Sequence, residues 1–214
     1  MQNMQREVMM AEPKKQKSGI IKDAVALFVI TLIAGALLGL VNQITKEPIA
    51  KAELTAKEEA YKVVFADGKE FAEDKEIDKK LKGATFDGAE ISEILEVHDK
   101  KGETVGYVCS LVAKEGYGGD INFTIGVSTD GKMTGLSVLS HSETAGLGAN
   151  CTEKEFTKQF VGLQGPEVAY TKEGKSADNE FDALSGATIT TKALTKAINA
   201  GLGFLNENGY ITGK

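Results

Sequence analysis

From Ala24 to Thr45 the chain reads AVALFVITLIAGALLGLVNQIT, a run with no charged side chain. At ~1.5 Å per helical residue it crosses the ~30 Å hydrocarbon core of a bilayer. The pattern predicts an uncleaved transmembrane helix over 23–45. The run exceeds the ~7–15-residue apolar core of a signal peptide, and the A-x-A triplet at Ala50–Ala52 lies well beyond it. Residues 47–66, EPIAKAELTAKEEAYKVVFA, are rich in Ala, Lys and Glu and predict a helix continuing from the anchor. Pro48 is tolerable there, near a helix start or as a kink where the anchor ends. Residues 67–83, DGKEFAEDKEIDKKLKG, carry so many charges of both signs that a solvated surface segment is expected.

The period then changes. EISEILEVHD, TVGYVCSLVAKEG, INFTIGVSTDG and KMTGLSVLSHSET show the β-branched enrichment and partial alternation of strands. Asp130-Gly131 is a strong hairpin signal between the last two. Thr152-Glu153-Lys154-Glu155 has the form of a capping box, opening a short helix through Phe160. A final helix is expected from near Thr188 towards Leu205, with Ile189, Ala193, Leu194, Ala197, Ile198, Leu202 and Leu205 on or near one face. These elements make an α+β domain: a single N-terminal transmembrane helix followed by an antiparallel sheet with flanking helices. The expected divisions are a basic N-terminus (1–22), the membrane helix (23–45), a juxtamembrane helix and charged connector (46–90) and the folded domain (91–214). No internal repeat is visible.

Charge orients the chain. Arg6, Lys14, Lys15, Lys17 and Lys22 face only Glu7 and Glu12 in residues 1–22, so that segment carries +3 and the remainder −9 of a total of −6. Lysines flanking an anchor stay on the cytoplasmic side, which puts everything after Thr45 outside the cytoplasm, on an inner-membrane anchor. An acidic chain without a clustered basic surface argues against nucleic acid as a partner. Gly35 and Gly39 form a G-x-x-x-G face suited to close helix approach, although glycine is common in membrane helices. Cys109 and Cys151 are the only cysteines. Their spacing resembles no metal motif, and both a disulfide and buried apolar thiols stay open.

Two stretches carry candidate chemistry. HSETAGLGAN, 141–150, follows a strand end, where Gly146 and Gly148 permit a sharp turn or close approach and Glu143 and Thr144 offer an acceptor and a hydroxyl. DALSGAT, 182–188, gathers hydroxyls and small residues at a helix start. Ser185 or Thr188 serves there as a cap, or the free N–H groups of the first turn receive a phosphate. No catalytic base, P-loop lysine or Rossmann glycine triplet stands nearby. From the residues alone, a phosphorylated ligand near Thr188 is plausible and its identity is open.

DALSGAT resembles the flavinylation motif D-x-x-[S/T]-G-A-[T/S] of membrane-bound FMN proteins. With the anchor, GYGGDINFTIGVSTDGKMTGLSVLSHSETAGLG and the terminal helix, the chain resembles an FMN-binding domain family with two branches. One is the G subunit of the Rnf electron-transport complex; the other is the C subunit of the Na⁺-pumping NADH:quinone oxidoreductase. Compactness favours the first. The resemblance implies that 91–214 is an FMN-binding domain and that a flavin transferase joins FMN by a phosphoester to Thr188. Asp182, Ser185, Gly186 and Ala187 would then be the recognition positions. It implies further flavin contacts at Glu143, Thr144, Leu147 and Gly148, with Thr191 and Lys192 as outlying ones. Ala145 stands where the family has proline in E-T-P-G-L-G, which leaves that loop less constrained.

The implied role is an electron relay with no self-standing turnover. It sits within a complex coupling ferredoxin:NAD⁺ electron transfer to Na⁺ or H⁺ translocation. The implied partners are the other membrane subunits, including a second flavinylated one and an iron–sulfur-bearing pair. The rival reading from a different class is a single-pass anchored scaffold without flavin, in which GAT is only a helix start.

Overall fold

The computed structural model describes residues 19–212. Most of the basic N-terminal segment, up to residue 18, lies outside the described residues. The described residues fall into two compact units that divide between Ala52 and Glu53.

Helix α1 runs unbroken over Gly19–Val64, with Pro48 inside it. The helix expected over 47–66 thus continues directly from the apolar run, with no new helix start at Pro48. A proline costs a helix one N–H bond to the carbonyl four residues back and a local clash there, and flanking turns rich in Ala and Lys absorb that cost. The apolar stretch of α1 is long and apolar enough to cross a membrane, and its large side chains are exposed throughout.

In the second unit, β1 (Glu70–Glu73), β2 (Ala89–His98), β3 (Thr104–Ala113), β4 (Ile121–Ser128) and β5 (Met133–Ser140) form one antiparallel sheet in sequential order. The hairpin at Asp130-Gly131 forms as its sequence predicts, with Gly131 at φ 80° and its N–H bonded to the Ser128 carbonyl at 2.9 Å. Both faces of β3 are covered. Tyr107, Cys109, Leu111 and Ala113 face the main core, while Val108 joins a second cluster with Tyr61, Val64 and Phe65. That double burial turns the strict alternation of a half-buried strand into a nearly continuous apolar run.

Helix α4 (Thr188–Glu207) closes the main core with Ala193, Leu194, Ala197, Ile198, Leu202, Phe204 and Leu205. Buried Gly201 lets it approach β3, since a Cβ there would sit 3.3 Å from Leu111. On the other face the end of α1 rests on a glycine platform. Gly126 and Gly135 pair across β4 and β5, and a Cβ at Gly135 would lie 2.9 Å from Val64 Cα. Thr134 Oγ1 donates to the Val64 carbonyl at 2.5 Å, satisfying one orphan acceptor of the helix end. Lys57 pairs with Glu93 at 2.5 Å, and Tyr61 Oη donates to the same carboxylate. Burial, reinforced by that carboxylate, raises the Tyr61 phenol above its ordinary range.

Three sequence expectations need correction. The charged segment 67–83 is not merely solvated surface, because it contains β1 and helix α2 (Lys75–Leu81). Asp74 caps α2 by accepting from the Glu76 N–H at 2.6 Å, and Ile77 is fully buried. A single apolar anchor in a charged run leaves no periodic signal to read. The capping box at Thr152 does not form. Thr152 Oγ1 donates back to the Ala149 carbonyl at 3.0 Å, a 3₁₀ turn occupies Gly148–Thr152, and α3 (Lys154–Thr157) starts after uncapped Glu153. A further 3₁₀ turn, Lys158–Phe160, completes the stretch. Finally, the stretch between the short helix and α4, to which the pattern assigns no element, holds a small parallel pair, β6 (Ala169–Thr171) and β7 (Glu180–Asp182).

Cys109 and Cys151 are free and buried, so no disulfide joins them. Burial pushes the Cys109 thiol up to about 12. Burial, with the nearby Glu143 carboxylate adding to it, pushes Cys151 up to about 11. Since the thiolate is the reactive form, neither residue is expected to react with a maleimide at pH 8 in the folded protein. Both should label in denaturant, as intact mass would show. Rapid labelling of either one in the native state would contradict this burial.

Candidate functional site

The antiparallel meander decides what meets at one end of the sheet. Ala113 pairs with Ile121 and Asn122 with Ser140, so the β3–β4 connection and the chain leaving β5 emerge together. Packing of α4 on the same core brings its N-terminus to that end. The two stretches singled out in the sequence, more than thirty residues apart, thereby become walls of one cavity of about 450 Å³. Its size falls within the ~300–1,000 Å³ of small-molecule sites. Glu143, Thr144, Leu147 and Gly148 line one side, and Gly186, Ala187 and Thr188 another. Tyr117, Ile189 and Thr190 complete it, and sequence reasoning did not find them. Tyr117 lies in GYGGD, 116–120, where no hydroxyl or charge pattern marks a contact. The amphipathic pattern puts Ile189 on or near the core face of α4, yet it is 51% exposed.

Glu143 is the hub. It is buried, and its Oε1 accepts the Gly118 N–H at 2.8 Å while Oε2 accepts the Thr190 hydroxyl. One carboxylate thus ties the β3–β4 loop, the strand-end loop and α4 together. Glycines make the approach possible. A Cβ at Gly118 would run into the Ser142 carbonyl, and one at Gly148 would sit 2.6 Å from Thr190 Oγ1 and against the Glu143 carboxylate. Glu143→Gln keeps one acceptor oxygen for the Gly118 N–H but replaces the other with an amide N–H₂, so the bond from the Thr190 hydroxyl is lost or that hydroxyl must reverse to accept. The substitution is expected to cost about 1–3 kcal/mol, read as a lower thermal midpoint by near-UV circular dichroism of the solubilised chain. A midpoint equal to wild type would remove the hub role.

The turn into α4 has its own logic. The Ala187 N–H bonds to the Leu184 carbonyl at 3.1 Å, with Gly186 at φ 71°, a conformation that side chains disfavour. Thr191 is fully buried and staples this turn: its hydroxyl donates to the Ala187 carbonyl at 2.9 Å and accepts the Leu184 N–H at 3.1 Å. The cap that the sequence offered at Ser185 or Thr188 does not form. Ala187 occupies the N-cap without a side-chain hydrogen bond. The first turn, whose residues Thr188, Ile189 and Thr190 line the cavity, therefore keeps its N–H groups and the positive end of the helix dipole without a capping side chain, and Thr188 is half-buried.

Asp182, Ser185, Thr191 and Lys192 do not line the cavity. Asp182 is exposed on β7, its N–H held by Gln159 Oε1 at 2.8 Å, and Ser185 and Lys192 are exposed.

The FMN-binding domain family matches residues 116–203, a span that holds the whole cavity, and the RnfG N-terminal region matches residues 9–64. The G subunit of the Na⁺-translocating ferredoxin:NAD⁺ oxidoreductase complex of Acetobacterium woodii is 32% identical, with 84% of this chain and 88% of that protein covered. The chain belongs to the RnfG family of ion-translocating oxidoreductase complexes. The corresponding G subunit of the proton-translocating complex of Clostridium ljungdahlii is also 32% identical, over 88% of this chain and 92% of that one. Among solved structures, the C subunit of the Na⁺-translocating NADH-quinone reductase of Parabacteroides distasonis overlaps 56% of this chain and 63% of its own, at 25% identity and TM-score 0.47. As an RnfG family member, the chain is one component of a redox complex and holds an FMN-binding domain. The RnfG N-terminal match decides between the two branches that the sequence resembled.

The residues present fit FMN. The cradle is made of positions a side chain would fill: a Cβ at Gly186 would lie 3.0 Å from Leu147 Cδ2, and the one at Gly148 would collide as described. Uncapped helix N–H groups suit a phosphate, and apolar Leu147 and Ile189 suit a ring system.

Proposed function

We propose that this RnfG family member is a membrane-anchored flavoprotein carrying FMN on Thr188 through a phosphoester, and that it relays electrons within an ion-translocating complex. The convergence of the Glu143–Gly148 loop and the Gly186–Thr188 turn on one cavity at the uncapped start of α4 carries this reading. FMN, when bound, supplies the one- and two-electron chemistry that no side chain here offers. Thr188 provides the attachment oxygen. The first turn of α4 holds the phosphate by its N–H groups and dipole. Gly186 and Ala187 leave room beside it, and Glu143 ties the surrounding loops together. Asp182 and Ser185 are the positions that a maturation enzyme reads; their exposure supports this role.

By the charge asymmetry around 23–45, the second unit stands outside the cytoplasm. The coupled process is electron flow from reduced ferredoxin to NAD⁺ with Na⁺ or H⁺ translocation, as named for the relatives. The partners are membrane subunits of that complex, including a second flavinylated one and an iron–sulfur pair, with a flavin transferase for maturation.

Coexpression with the transferase tests the reading. The intact chain should carry one FMN adduct by mass and fluoresce on a denaturing gel. An unmodified, dark band would instead favour an anchored scaffold.

A further inference from the structure

Outside α1, four large apolar side chains are exposed among the described residues: Tyr117, Leu147, Val161 and Ile189. Scattered singly, such residues need no explanation. Three of these four line the one cavity at the start of α4. Tyr117 is the extreme case at 69% exposed. Its backbone is nevertheless tied down: the Gly119 N–H bonds back across it to the Gly116 carbonyl at 3.4 Å, and Glu143 Oε1 accepts the adjacent Gly118 N–H at 2.8 Å. Among the described residues no aromatic ring pairs with it. A large ring on a fixed backbone, turned to a cavity and left without a stacking partner, is a surface prepared for a planar ligand. Ile189 follows the proposed attachment residue directly, so a ring system tethered at Thr188 arrives at this apolar rim.

We propose that Tyr117 is the stacking residue of the site, its phenol ring lying against a face of the flavin ring system, with Leu147 and Ile189 supplying further apolar surface. This rests on the FMN reading of the cavity. Tyr117 is a positioning residue: it restrains the tethered ring, whereas the phosphoester restrains only the phosphate.

The test uses the full chain, matured with its transferase, as wild type, Tyr117→Phe and Tyr117→Ala. A phenol in contact with an excited flavin quenches its fluorescence by electron donation, and a benzene ring does not. Wild type should show a fluorescence lifetime several-fold shorter than the same flavin after unfolding. Both variants should lengthen it. The visible circular dichroism of the flavin should persist in Tyr117→Phe and collapse in Tyr117→Ala. Lifetimes are read per bound flavin, so a lower maturation yield in a variant does not obscure them. A native lifetime equal to the unfolded one, or one unchanged by Tyr117→Phe, would overturn the stacking role while leaving the covalent flavin in place. Absence of any adduct by intact mass in all three would instead refute the FMN reading, and the stacking role with it.

Discussion

Thr188→Ala is expected to abolish the flavin adduct and leave the fold intact. The intact mass should fall to that of the bare chain, and the denaturing gel should go dark. Thr188 Oγ1 is not used as a helix cap, because Ala187 occupies the N-cap and no side chain caps the helix. Alanine is also a better helix former than threonine. The thermal midpoint should therefore stay close to wild type, within the ~0.5 kcal/mol of a substitution that removes neither a core contact nor a cap. Two controls sharpen the result. Thr188→Ser keeps a hydroxyl at the same place and should retain the adduct. Thr191→Ala leaves a buried Leu184 N–H without its acceptor, so it should cost about 1–3 kcal/mol and yet keep the adduct in the folded fraction. An adduct that survives Thr188→Ala would move the attachment elsewhere.

Phe181→Ala is expected to have the largest effect on stability. Phe181 is fully buried, its ring centroid 4.6 Å from Phe160 and 5.9 Å from Phe156. These three rings anchor the short helical turns after the site loop to β7, the strand that leads into DALSGAT. Removing one ring leaves a cavity bounded by the stiff, paired β6 and β7, which limits collapse. A loss of about 3–5 kcal/mol follows. For a unit of this size that lowers the thermal midpoint on the order of 10 °C. Calorimetry or near-UV circular dichroism of the solubilised chain would show it, and a shift of only a degree or two would mean that the rings do not carry this layer.

The elements that were legible share one property: a long, regular pattern. The uncharged run in α1, the β-branched strands β2 to β5, the Asp130-Gly131 turn and the amphipathic α4 each repeat a signal over many residues. The misses lack repetition. Strand β1 and helix α2 hang on Phe71 and Ile77 among charges, and β6 and β7 are three residues each. At Thr152 the local rule was met, but Cys151 and Phe156 had to enter the core, and the backbone took a 3₁₀ turn to place them.

By itself the sequence determined the long apolar helix, the α+β class, the two candidate loops and, through DALSGAT and its resemblance, the residue to test. These are local properties, written in periodicity, small residues and hydroxyl spacing. Tertiary structure alone decided that the two loops share a cavity, that Glu143 is a buried tie between them, that Thr191 staples the turn and that Tyr117 stands exposed at the rim. Those facts depend on which strand ends emerge together and on how closely glycines let backbones approach, and no single stretch of chain encodes either.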